Sequence, residues 1–175
     1  MMDASVGSRK HVFAFEEGDG KDKKLLGGKG ANLCEMTQIG LNVPPGFVIS
    51  TEACLDYLDS PGRELPEGLM DEVRAHMKAL EEKTGKGFGD PENPLLVSVR
   101  SGSAMSMPGM MDTILNLGLN GETLQGEIRH TGDARFGYDA YRRFIQLFGK
   151  VALGVPDELF DKEFDAVKQR AHVKE

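Results

Sequence analysis

No stretch of this 175-residue chain is both long and apolar. A bilayer-spanning helix needs about 18 consecutive apolar residues, so no membrane segment is expected. The opening MMDASVGSRK has no apolar core of the kind that drives secretion. Cysteine is scarce. Cys34 and Cys54 both sit in apolar-patterned segments and are expected to pack as small buried hydrophobes, without a disulfide or a metal. Positive charge is also short, with 21 Lys and Arg against 28 Asp and Glu and a net charge of −7. A nucleic-acid binder would show a basic stripe, and none is present. The acidic residues gather in Glu16–Asp22 and Glu64–Glu82, which read as solvated surface. There are no internal repeats and no low-complexity segments. At 39% hydrophobic content the chain can bury one ordinary core. A cytoplasmic protein with a helical appendage is the expectation.

What is present alternates strand and helix over the first two thirds. HVFAF, residues 11–15, reads as a strand, and a charged loop follows it. Gly27-Gly28-Lys29-Gly30 opens a helix of about ten residues, with Leu33, Met36 and Ile39 as its apolar face. Gly40 stops it as a C′ glycine. A Pro44-Pro45-Gly46 turn leads into a strand from Phe47 to Ser50, after which Thr51 is placed to cap a helix ending near Leu58. A longer helix from about Glu67 to Thr84 carries Leu69, Val73, Met77 and Leu80 on one face. Leu95–Val99 reads as a buried-type strand, and a second apolar strand ends at Leu119. After Asn120 the pattern becomes helical, with Phe136, Ala140, Phe144 and Phe148 at i, i+4 spacing and a further helix from Pro156.

Two runs invite a chemical reading. Gly27-Gly28-Lys29-Gly30 fits neither a Walker A motif nor a dinucleotide fingerprint. A glycine cluster before a helix is commonly just a tight turn. It also lets backbone approach an anion at a helix N-terminus, with Lys29 adding charge. In the second run, Arg100 stands at the end of a strand, where it either pairs with a carboxylate, Asp112 being one choice, or meets a ligand anion. Ser101-Gly102-Ser103 offers amides and hydroxyls with little bulk. Four of nine methionines crowd between Met105 and Met111. The loop from Ser101 to Asp112 is expected to move when no nucleotide is bound. Arg142 and Arg143 are, by spacing alone, surface arginines of an amphipathic helix.

SVRSGSAMSMPGMMDTILNLGLN, from Ser98, resembles a signature of pyruvate phosphate dikinases, as do LLGGKGANL from Leu25 and GLNVPPGFVI from Gly40. The resemblance runs from about His11 to beyond Phe148. It implies an α/β (α+β) fold: an ATP-grasp N-terminal lobe with a mixed sheet over residues 1–120, then a truncated helical subdomain over 121–175. It implies nucleotide-phosphate binding by Lys29, Arg100, Ser101, Gly102, Ser103, Ser106, Gly109 and Arg142, with Arg100 also catalytic in phosphoryl transfer. Some members carry an arginine where this chain has Ala104. ATP is the implied substrate, with Mg²⁺ held by residues elsewhere in the parent enzyme. The phosphohistidine and pyruvate domains of such an enzyme are expected to be partners, because none of the scattered histidines sits in a matching setting. The chain thus reads as a fragment, inactive alone, of an enzyme that makes phosphoenolpyruvate from ATP, phosphate and pyruvate. A related phosphoenolpyruvate synthase-like phosphotransferase, or a non-catalytic module with the same fold, are the alternatives.

Overall fold

The computed structural model describes residues 9–102 and 113–173. They form two compact units, one reaching to Gly85 and one holding Lys86–Ser101 with the residues from Thr113 onward.

In the first unit, β1 (Val12–Ala14) pairs antiparallel with β2 (Phe47–Ile49), Phe13 opposite Val48. Side chains alternate across this short ladder. Phe13 and Val48 face a cluster of Phe15, Leu26, Ala31 and Cys34, whereas Val12 and Phe47 face Ala53, Leu69 and Val73. So α1 (Lys23–Gln38) covers one side, and α2 (Thr51–Asp59) with α3 (Leu69–Thr84) covers the other. The Glu72 carboxylate of α3 accepts the His11 and Val12 amides at 2.9 and 2.8 Å, tying that helix to the start of β1.

The sequence misplaces the buried face of α1. Met36 and Ile39 are exposed, and the residues buried are Leu26, Gly27, Gly30, Ala31 and Cys34. Small residues let this helix lie close to β2: a Cβ on Gly30 would sit 2.8 Å from Val48 Cγ1. Gly40 does end α1, at φ 85°. Its amide bonds the Thr37 carbonyl and that of Leu41 bonds the Met36 carbonyl, the Schellman pattern. The Ser50 hydroxyl, not Thr51, caps α2, accepting the Ala53 amide at 3.2 Å. Cys34 is buried as expected, and burial pushes its thiol up. Cys54 is exposed, because it lies on the outer side of α2; neither cysteine is in a disulfide.

In the second unit, β3 (Val97–Arg100) and β4 (Thr113–Leu117) form an antiparallel pair with Arg100 opposite Thr113. The register slips between Val97 and Val99, where β4 carries an extra residue and Asn116 takes φ 58°. Asn, with its short polar side chain, tolerates that left-handed conformation. α4 (Thr123–Thr131) and β4 pack on α5 (Ala134–Leu153), and α6 (Asp157–Arg170) leans on α5.

The class is mixed α and β, as the sequence implies. Among the described residues the strands form two separate two-stranded antiparallel ladders. The buried-strand reading of Leu95–Val99 holds only at its start. Leu95 is buried, but Ser98, Val99 and Arg100 are exposed, because helices cover only part of this hairpin.

Candidate functional site

The glycine run lies inside α1 and bends it. Gly27 has φ 69° and ψ 163°, so α1 is two helical pieces, residues 23–26 and 28–38, meeting at a kink. That region of the map is essentially open to glycine alone. Asp22 caps the first piece, its carboxylate accepting the Leu25 amide at 2.9 Å. The second piece begins at Gly28, so Lys29 occupies the first turn of a helix whose N-terminus is partially positive. Lys29 is half-buried and makes no ion pair among the described residues. Two glycines of the run therefore have structural reasons, Gly27 for its backbone angles and Gly30 for its approach to Val48.

Arg100 ends β3. Pairing with Thr113 fixes its backbone, while its side chain is exposed and has no ion-pair partner among the described residues. Ser101 and Gly102 follow, both exposed, and a Cβ on Gly102 would meet nothing within 4 Å. Ser103, Ser106 and Gly109, the proposed pairing partner Asp112, and most of the loop expected to move lie outside the described residues. Lys29 belongs to the first unit and Arg100 to the second.

Arg142 is engaged within its own unit. Its Nε and Nη2 donate to Asp139 Oδ1 at 3.2 and 3.1 Å, and its Nη1 donates to Gln146 Oε1 at 3.0 Å. The guanidinium also stands 4.8 Å from the Phe164 ring centre. Arg143 donates to the other oxygen of Asp139 at 2.7 Å. Burial pushes the Asp139 carboxyl up, but the two arginines outweigh it and hold it below the usual carboxylate range. Sequence reasoning missed Asp139. Its signal was legible, since Asp139, Arg142 and Arg143 stand at i, i+3 and i+4 on one helix. Arg142 also borders an apolar groove of about 460 Å³ between α5 and α6, lined by Tyr138, Tyr141, Ile145, Phe160 and Val167 among others.

Among the described residues no three His, Cys, Asp or Glu side chains converge to hold a metal ion. No helix among the described residues is long and apolar enough to cross a membrane.

Comparison with known proteins bears on the glycine run directly. Residues 23–64, which contain Lys29 and Thr51, match the family described as pyruvate phosphate dikinase, AMP/ATP-binding domain. The chain is 60% identical to a pyruvate, phosphate dikinase of Entamoeba histolytica over 94% of its own length and 18% of the other's. It is 51% identical to that of Clostridium symbiosum over 94% of its length and 19% of the relative's. Against pyruvate, phosphate dikinase 2 of Zea mays the figures are 52%, 95% and 19%. The chain thus spans about a fifth of the length of these curated relatives, and over that span it belongs to the pyruvate, phosphate dikinase family.

Proposed function

We propose that this chain supplies part of the phosphate-binding side of an ATP site of the ATP-grasp type, within a phosphotransferase that acts towards phosphoenolpyruvate. The observation that carries the reading is Arg100. A guanidinium anchored by a strand, exposed and without an ion pair among the described residues, is prepared to grip two phosphate oxygens at once. Lys29 adds a point charge at a helix N-terminus, and Ser101 and Gly102 add small polar contacts. Ser103, Ser106 and Gly109 extend the same loop by the family's pattern. Arg142 joins the site only by exchanging Asp139 for a phosphate oxygen, one anion for another.

The chemistry that these groups serve is charge neutralisation and positioning of the transferred phosphoryl group. Arg100 is the catalytic candidate, because its donors fit the transferring oxygens. Mg²⁺ ligands, the adenine pocket, the phosphohistidine and the pyruvate site come from the rest of the parent enzyme, in the cytoplasm. A charge-assisted hydrogen bond contributes about 1.5–3 kcal/mol, so loss of Arg100 weakens phosphate binding by roughly tenfold or more.

Calorimetric titration of the chain with ATP and with inorganic tripolyphosphate tests the reading. The two ligands are expected to compete, with Arg100→Ala costing more affinity than Lys29→Ala because a guanidinium can hold two phosphate oxygens at once, whereas the lysine is a single point charge. Absence of binding by the unsubstituted chain, or full affinity in Arg100→Ala, overturns it.

A further inference from the structure

Thr51 was expected to cap α2, but Ser50 does that, and the Thr51 hydroxyl does something else. It donates to the Lys24 carbonyl oxygen at 2.5 Å, across 27 residues of sequence. In an unbroken α-helix the Lys24 carbonyl would accept the amide of Gly28, four residues on. The bend at Gly27 lies between those two residues, and a side chain placed on the helical ladder is a recognised cause of such bends.

The second piece of α1 is held from the same short segment. Gly30 lies against Val48, so closely that a Cβ there would come within 2.8 Å of Val48 Cγ1. Val48 and Thr51 are three residues apart at the junction of β2 and α2. One touches α1 beyond the kink and the other touches it before the kink, and Lys29 lies between the two contacts. β2 is fixed in turn by its ladder to β1, and α2 by its Ser50 cap. The bend is therefore gripped on both sides by a segment with its own support.

We propose that Thr51 is a positioning residue: its hydroxyl holds the kink of α1 and so sets the direction of Lys29 and of the amides at Gly28 and Lys29 towards a bound phosphate. This deepens the phosphate-binding reading and depends on it for the ligand. Thr51 touches no phosphate in this scheme and acts through the Lys24 carbonyl.

The test compares the unsubstituted chain with Thr51→Val, which keeps the shape and removes the hydroxyl, and with Thr51→Ser, which keeps the hydroxyl. Two readouts are taken: the backbone amide resonances of Gly27 to Gly30 without ligand, and tripolyphosphate affinity. The resonances are expected to move in Thr51→Val and to return in Thr51→Ser. Affinity is expected to fall about fivefold in Thr51→Val, the scale of one net hydrogen bond, and to recover in Thr51→Ser. Thermal unfolding of both variants checks that the fold is intact. Unmoved resonances in a folded Thr51→Val overturn the positioning role, as does unchanged affinity. If the unsubstituted chain binds no tripolyphosphate, the phosphate reading fails, and the resonances alone decide whether Thr51 sets the kink.

Discussion

At the scale of single residues, backbone angles and charge pairs decide what is tolerated. Gly27 at φ 69° and ψ 163° occupies a region that costs other residues about 1–3 kcal/mol. Gly27→Ala is expected to lower unfolding stability by about that amount, read from urea midpoints; an unchanged midpoint would show that α1 relaxes without the kink. Glu17 yields a prediction in pH. Burial alone would raise its carboxyl, yet hydrogen bonds from Lys10, the Ala14 amide and His76 bring it down to about 2. A carboxyl depressed in the folded state stabilises fully above its unfolded value, and that contribution is lost as pH falls through the folded one. Stability should therefore drop between about pH 4.5 and pH 2, and Glu17→Gln should flatten this drop. Equal slopes in the two proteins would show that other groups govern acid unfolding.

At the scale of elements, two features hold the second unit together. The Thr123 hydroxyl is fully buried, accepts the Asn120 amide at 2.8 Å and donates to the Gly118 carbonyl at 2.9 Å. It thereby closes the turn between β4 and α4. Thr123→Val leaves both partners unsatisfied and is expected to cost about 1–3 kcal/mol, a loss that urea unfolding would reveal. Close packing at glycines is the second feature. A Cβ on Gly126 would lie 2.3 Å from the Pro91 carbonyl oxygen, and one on Gly149 would lie 2.4 Å from Phe160 Cζ. Backbone yields less than the tip of a ring that can turn. Gly126→Ala should thus destabilise more than Gly149→Ala, and the reverse order of melting temperatures would refute this. The elements themselves were largely legible. Helical spacing marked α3 through Leu69 and Leu80, and Gly40 marked the end of α1. The face of α1 was not legible, because small residues such as Gly27, Gly30 and Ala31 carry little hydropathic signal beside Leu33, Met36 and Ile39. Which of them turn inward depends on how near β2 lies.

At the scale of the whole molecule, the chain spans about a fifth of its relatives. Mixed with ATP, phosphate and pyruvate it is expected to form no phosphoenolpyruvate in a coupled assay. Turnover above background by the pure chain would mean that the missing functions are supplied within it. The net charge of −7 opposes a polyanion, so the proposed phosphate binding rests on local cations. Salt should weaken that binding progressively, because exposed charges are screened.

The sequence by itself determined the family and the class, and it supplied the residue types of the proposed phosphate site. Glycine runs, a strand-ending arginine and a lysine at a helix start are local patterns, and local chemistry suffices to read them. The tertiary structure decided the rest. It showed that the glycine run bends α1, that Thr51 reaches back to Lys24, that Arg142 stands against Phe164 of α6, and that Cys54 faces solvent. Each of these depends on which surface comes to lie against which, and spacing along the chain fixes that only within one element.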